Sequence, residues 1–182
     1  MAQVSSVRRA TAEDAPGIAR VHVDSWRQTY EGVISDSFLR ELSYENRQAY
    51  WRKHLSAADK PATVYVATAG EQGIVGFAAV GPEQGQVGGF DAELFAIYLL
   101  RSHQGRGLGK ALLHAAAAHL RAAGYKSMLL WVLADNPSRG FYEHFGGEVV
   151  DEKQLAVGDQ KLPAVAYGWE SLQGLVEATA PQ

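Results

Sequence analysis

Gly105, Gly107 and Gly109, set in the run Gln104-Gly105-Arg106-Gly107-Leu108-Gly109-Lys110, are the residues whose type and spacing point most directly to chemistry. Alternate glycines remove the Cβ atoms that would keep a ligand off the backbone, so successive N–H groups can close on one anion. The apolar positions Leu108, Leu112, Ala115 and Leu120 predict a helix starting at this turn, with its positive end facing that anion. A diphosphate fits such a turn. The dinucleotide fingerprint G-x-G-x-x-G does not, because its third glycine falls on Lys110 or Leu112, depending on the register. The Walker pattern fails as well: Gln104 stands in place of its first glycine, and Ala111 follows Lys110 where Ser or Thr is needed.

The charge distribution agrees with an anionic ligand. Residues 94–134 contain no Asp or Glu but carry Arg101, Arg106, Lys110, Arg121 and Lys126, in a chain whose formal charge is −3. A local basic stretch in an acidic chain reads as a small-anion site or as a solvated helix face; it offers no broad surface for nucleic acid or membrane. With no cysteine in the chain, disulfides, thiolate metal ligands and a cysteine nucleophile are excluded. The histidines at 22, 54, 103, 114, 119 and 144 form no H-E-x-x-H, and His114 and His119, five apart, do not share a helix face, so no metal site is expected.

These residues need a scaffold. A chain of 182 residues with 47% apolar and 20% charged residues fits one domain of ordinary size. Residues 1–14 include Arg8, Arg9, Glu13 and Asp14 and read as no signal peptide, and no apolar run approaches the ~18 residues of a spanning helix. A soluble, cytoplasmic protein is expected. The patterning predicts a strand at 7–9 and a helix opened by Thr11 and Asp14, which carries Ile18, Val21, Trp26 and Tyr30 and ends at Gly32. Helices at 35–42 and 45–55 follow, and Lys60-Pro61 closes that half. Strands at 64–68 and 74–80 form a hairpin, and 81–89 is a loop. A strand at 94–100, a helix at 107–123 stopped by Gly124, a strand at 128–133 and a helix from Pro137 through Phe145 come next. After Gly146-Gly147, strands at 148–157 and 162–169 complete the chain, and the tail after Leu175 is expected to fray. This order implies a mixed α/β domain with a strand–helix–strand unit at its centre.

Q-x-x-G-x-G opening a helix after a strand resembles the pyrophosphate loop of the GNAT superfamily of acetyl-CoA-dependent N-acetyltransferases. The resemblance continues in Glu93-Leu94-Phe95-Ala96-Ile97-Tyr98-Leu99, similar to the family's fourth strand, and in Leu130-Trp131-Val132-Leu133-Ala134-Asp135-Asn136-Pro137, similar to the fifth strand and its turn. Phe141-Tyr142-Glu143-His144-Phe145-Gly146-Gly147 resembles the Y-E-x-x-G-F segment. With Ser25-Trp26-Arg27-Gln28-Thr29-Tyr30 and Ala166-Tyr167-Gly168-Trp169, the likeness spans residues 7–169. Three positions depart from it: Arg101 replaces a common proline, His103 a frequent aromatic, and Gly147 the motif's phenylalanine.

The resemblance implies a mixed, mostly antiparallel sheet with splayed fourth and fifth strands and helices on both faces. It implies that main-chain groups of Ile97, Tyr98 and Leu99 pair with pantetheine, and that the N–H of Leu99 or a neighbour stabilises the oxyanion. Gln104, Gly105, Arg106, Gly107, Leu108, Gly109 and Lys110 would hold the pyrophosphate, with Arg101 and Arg139 near the phosphates. Asn136 would bond the pantetheine arm or serve only as a turn residue. Tyr142 would protonate the departing thiolate or only pack against it. Glu93 would deprotonate the incoming amine, directly or through water, or remain a surface carboxylate. Trp26, Tyr30, Phe95 and Tyr167, with Trp51, either line an acceptor pocket suited to an ammonium group or belong to the core. Asp24, Glu31 and Asp36 lie in the same region.

The expected activity is direct acetyl transfer from acetyl-CoA to a primary amine, a small molecule such as a polyamine or an amino-acid-like amine. A protein lysine or N-terminal amine, and an acyl-CoA sensor without turnover, are the alternatives. No metal, nucleic acid or membrane partner is expected, and a homodimer through the closing strands stays open.

Overall fold

The computed structural model describes residues 5–59, 62–85 and 87–181, so the expected break at Lys60-Pro61 lies outside the described residues. Val75 to Val80 is the most thoroughly buried stretch of sheet, and its composition explains why helices cover it on both sides. This strand, β3 (Ile74–Pro82), pairs antiparallel with β2 (Thr63–Ala69) and β4 (Ala92–Leu99). Phe77 points to one face, where its ring meets His22 of α1 (Ala15–Tyr30) and Trp51 of α3 (Tyr44–Ser56) at 5.9 and 5.1 Å between centroids. Gly76 points to the other, where an added Cβ would lie 3.2 Å from Leu112 of α4 (Leu108–Ala122). Alternation along one strand thus sets α1 and α3 against α4. The helix α4 buries Leu108, Leu112, Leu113, Ala116, Ala117 and Leu120, the spacing of a single apolar stripe.

The sheet has the order β1-β2-β3-β4-β5-β7-β6. Its edges are β1 (Ser5–Arg9) and β6 (Glu148–Val157), and β7 (Gln160–Trp169) lies between β6 and β5 (Met128–Leu133). All pairings are antiparallel except that of β4 with β5, which joins Ala92 to Met128 and Glu93 to Leu129 and goes no further. The mixed, mostly antiparallel sheet with splayed central strands is therefore present. α2 (Asp36–Glu41) sits near the β6–β7 hairpin, where Ser35 N–H donates to Gln160 Oε1 at 2.8 Å. Among the described residues no helix is long and apolar enough to cross a membrane.

Two expected boundaries move. Pro137 does not open a helix: it lies in the turn before α5 (Arg139–His144), because Asn136 folds that turn by accepting the Ser138 N–H on Oδ1 at 2.7 Å. Among the described residues the expected fraying after Leu175 is not found. Leu172–Thr179 forms α6, capped by Ser171 accepting from Gly174 N–H, with Leu172, Leu175 and Thr179 buried against the core and Thr179 Oγ1 3.1 Å from His114 Nδ1 of α4. Gly147 also has a reason to differ from the family's phenylalanine, since a Cβ there would stand 2.7 Å from the ring of Trp169, whose Nε1 donates to Phe145 O at 2.8 Å.

The start of α1 is locked by charge. Asp14 is buried, takes both Arg8 Nη atoms at 2.7 and 2.8 Å and accepts Thr11 N–H at 2.8 Å. The Arg8 guanidinium holds its carboxyl below the usual range against the opposing effect of burial. Because the folded pKa is depressed, the stabilisation is complete above the unfolded value of ~3.9 and disappears as pH falls through the folded pKa. Asp14→Asn is expected to cost about 1.5–3 kcal/mol at neutral pH, the usual range for hydrogen bonds to a charged group. Urea unfolding of both proteins checks this, with the gap between them narrowing as the solution is taken below pH 4.

Candidate active site

The gap between β4 and β5 is where backbone chemistry is left open. Leu100 N–H donates to Val75 O at 2.9 Å, and alternation from there turns the main-chain groups of Leu99 and Ile97 away from β3 and into the gap. Tyr98 is different: its main chain faces β3, and its side chain lies on the α1 face, 5.3 Å from the His22 ring. A register shift at Ala79/Val80 bends β3 beside β4, while β5 stays paired with β7 along its whole length. The two central strands therefore diverge beyond Glu93.

The loop from β4 enters α4 through a 3₁₀ turn at Arg101–His103. Gly105 (φ 70°) and Gly107 (φ 81°) are in the left-handed region, which L side chains rarely adopt. A Cβ would meet nothing within 4 Å at either position, so it is the backbone conformation that demands glycine there. Gly109 differs, with the Phe141 ring 3.3 Å from an added Cβ. Ala111 N–H is the first in the helix to find an acceptor, Gly107 O at 2.9 Å. Among the described residues nothing accepts from the backbone N–H groups of Gly105, Arg106, Gly107, Leu108, Gly109 or Lys110. These six consecutive donors sit at the positive end of a helix of fifteen residues, and four of their residues, Gly105, Gly107, Gly109 and Lys110, line a cleft of about 430 Å³. Ile97, Leu99, Gln104, the three glycines and Lys110 line one side of it, and Pro137, Ser138, Phe141, Tyr142 and Phe145 the other. Gln104 also closes the strand end, its Nε2 donating to Leu99 O at 3.1 Å.

Tyr142 lies at the inner end of this cleft, 5% exposed. No described group hydrogen-bonds its hydroxyl. Burial, reinforced by the hydroxyls of Tyr98, Tyr30 and Tyr167, pushes its pKa well above the ordinary phenol value, so it stays protonated across the physiological range. Two small cavities of about 30 Å³ each adjoin it, and both are lined by Tyr30, Ile97, Tyr98, Asn136 and Tyr142. Phe95 lines one and Trp26 the other. Asn136 Nδ2 donates to Tyr30 Oη at 2.9 Å.

Other expected site residues lie elsewhere. Arg139 points away from the glycine turn, donating to Tyr167 Oη at 2.9 Å and Ala134 O at 3.0 Å. Tyr167 lines neither small cavity: it is fully buried behind Tyr142, 5.7 Å between ring centroids, and its hydroxyl is tied to Glu143 and Arg139. Trp51 is core, packed on Phe77, with its Nε1 donating to His22 Nδ1 at 3.3 Å. Arg101 is bound to Gln28 of α1, and Asp24 accepts from the Tyr44 hydroxyl at 2.6 Å. Glu31 directly follows α1, and Asp36 is the first residue of α2. Arg106 is exposed on the glycine turn. Glu93 is the second residue of β4 and half-buried, at the last β4–β5 pair and outside the lining of the cleft and small cavities. Burial first and Glu83 second raise its pKa, against a backbone hydrogen bond from Gln84 and the charge of Lys153.

Sequence reasoning assigned nothing to His22, Ser138, Phe141 or Phe145. His22 is buried among Trp26, Trp51, Phe77 and Tyr98, and burial, aided by Arg47, pushes its pKa down to about 3, so it is a neutral ring backing Tyr98. Its place in the apolar stripe of α1 was the only available signal. Among the described residues no group of three or more His, Asp or Glu could hold a metal ion.

Residues 21–147 match the model of the acetyltransferase (GNAT) family. The uncharacterized N-acetyltransferase YuaI of Bacillus subtilis is 38% identical over 170 residues, covering 93% of this chain and 95% of that protein. The fold matches PaiA N-acetyltransferase from Thermoplasma acidophilum, solved in complex with coenzyme A, with TM-score 0.71 and 20% identity over 91% of this chain and 99% of that one. It also matches yncA from Salmonella typhimurium, solved with its cofactor acetyl-CoA, with TM-score 0.67 and 22% identity over 92% and 94% of the two chains.

Proposed function

The chain belongs to the acetyltransferase (GNAT) family, and from that premise we propose that this N-acetyltransferase moves an acetyl group from acetyl-CoA directly to the primary amine of a small molecule. The observation that carries the proposal is the row of unpartnered N–H groups from Gly105 to Lys110 opening on a cleft whose inner end is Tyr142. When bound, acetyl-CoA supplies a thioester whose carbonyl carbon gains a bond to the amine nitrogen as its bond to sulfur breaks.

The pyrophosphate falls to the Gly105–Lys110 donors, with Lys110 and Arg106 adding charge. Ile97 offers its open main-chain groups to the pantetheine arm, and Leu99, whose carbonyl is held by Gln104, directs its N–H to the thioester carbonyl oxygen. Tyr142 delivers its phenolic proton to the sulfur. The amine arrives as an ammonium with a lysine-like pKa of ~10.4, and Glu93 draws off its proton through water. Trp26, Tyr30 and Phe95 surround the acceptor end, where the two cavities of about 30 Å³ adjoin Tyr142.

The test is thiol release from acetyl-CoA across polyamines, amino acids, aminoglycosides and lysine peptides. Release that depends on a small amine supports the proposal. Tight coenzyme binding by calorimetry with no release for any amine would replace it with an acyl-CoA sensor. For Glu93 the sign is fixed: a base must be ionised, and its pKa is raised, so kcat/KM is expected to fall with decreasing pH at a value above the ordinary glutamate range. Glu93→Gln should lower kcat/KM by about 10²-fold and abolish that acid limb, which a pH–rate profile of both proteins would show.

A further inference from the structure

Tyr30 is the last residue of α1, and its placement is over-determined. Its main-chain carbonyl accepts from both Val33 and Ile34 at 3.0 Å, and its ring packs edge-on against Trp26 at 5.1 Å between centroids. Its phenol is 5% exposed and accepts a hydrogen bond from Asn136 Nδ2 at 2.9 Å. Asn136 cannot turn its amide round, because Oδ1 is already committed to the Ser138 N–H at 2.7 Å. The Tyr30 oxygen is therefore an acceptor toward Asn136, and its own proton must be donated elsewhere. No described residue accepts it. The cavities that Tyr30 lines are those it shares with Ile97, Tyr98 and Tyr142. Leaving a buried donor unmade costs about 1–3 kcal/mol, and such a cost is repaid when the group meets a ligand.

We propose that Tyr30 is a catalytic residue whose O–H donates to the thioester carbonyl oxygen, a bond that strengthens as negative charge develops there, and that Asn136 is the positioning residue that aims it. This rests on the reading of the cleft as the acetyl-CoA site. Fixed donors directed at developing charge in a dry site are the largest single source of transition-state stabilisation in acyl transfer. Tyr30 and Leu99 line the same small cavity, and the phenol of one and the main-chain N–H of the other form the donor pair.

Two measurements test it together. Infrared difference spectra of bound acetyl-CoA carrying ¹³C at the carbonyl are expected to show the C=O stretch below its frequency in free acetyl-CoA, and Tyr30→Phe should move it back toward that value. The same variant should lower kcat by about 10- to 10²-fold with little change in acetyl-CoA affinity, the modest end of the usual effect because Leu99 N–H remains. Asn136→Asp puts an acceptor where the donor was, so the Tyr30 proton turns to the carboxylate. It should reproduce the frequency shift and the kcat loss, and the double variant should be no worse than either single one. An unshifted carbonyl in Tyr30→Phe, or a rise in the acceptor KM with kcat intact, would overturn the assignment and make Tyr30 an acceptor contact. Wild-type protein that binds no acetyl-CoA, or binds it without turnover, would sink the proposed function instead, so the two failures are distinguishable.

Discussion

Tyr142→Phe is expected to lower kcat by about 10³-fold while leaving acetyl-CoA affinity within a few-fold of wild type. The substitution removes one oxygen atom from a side chain whose hydroxyl bonds to no described group, so neither folding nor the apolar wall of the cleft is disturbed. What disappears is the proton for the leaving sulfur. A free thiol has a pKa of ~8.5 and a free phenol ~10, so in water the transfer is slightly uphill. Burial raises Tyr142 further. The same apolar surroundings penalise a bare thiolate even more than in water, which makes expulsion without a proton donor slow. General acids contribute 10²–10⁴-fold, and the expected loss is the middle of that range. Because the acid is active when protonated and its pKa is raised, no basic limb from Tyr142 should enter the pH–rate profile below pH 10. Steady-state kinetics with calorimetry of coenzyme binding decide the matter: a loss below tenfold would reduce Tyr142 to a packing residue.

Gly107→Val should weaken acetyl-CoA binding by between about 10²- and 10³-fold. Gly107 caps α4 at φ 81° and ψ −8°, and an L residue in that region costs about 1–2 kcal/mol, more when β-branched. Relaxing toward negative φ rotates the flanking N–H groups off the shared anion, and each charge-assisted hydrogen bond lost is worth about 1.5–3 kcal/mol. Gly124→Ala is the control. It too has positive φ (95°) and open space around it, but it ends α4 at the far side from the turn, so it should lower Tm without changing the coenzyme Kd. Equal affinity in wild type and Gly107→Val would show that the glycine turn does not hold the pyrophosphate.

The parts legible from sequence are those carried by short-range physics. Glycine at positive φ, the apolar stripe of α4 and the β-rich runs at 74–80 and 128–133 depend on residues a few positions apart, so the strand–turn–helix unit and the order of elements follow from them. The motif spacing placed Tyr142, Asn136 and the glycine turn on that framework in advance.

Other features depended on partners far along the chain. α6 carries a local signal, Leu172, Leu175, Val176 and Thr179 at helical spacing behind the Ser171 cap, but what holds it against the core is α4, far along the chain. Arg139 and Tyr167 left the expected site because they found each other across 28 residues. Tyr30 and Asn136, 106 residues apart, meet only because β5 pairs with β7 throughout yet parts from β4 after Glu93, which brings the turn after β5 to the end of α1. The amino-acid sequence by itself determined the elements and the anion-binding turn, since backbone sterics and hydrophobic period act locally. Which side chains converge on the reacting atoms was decided only in the tertiary structure, by strand pairing and the competition among buried polar groups for partners.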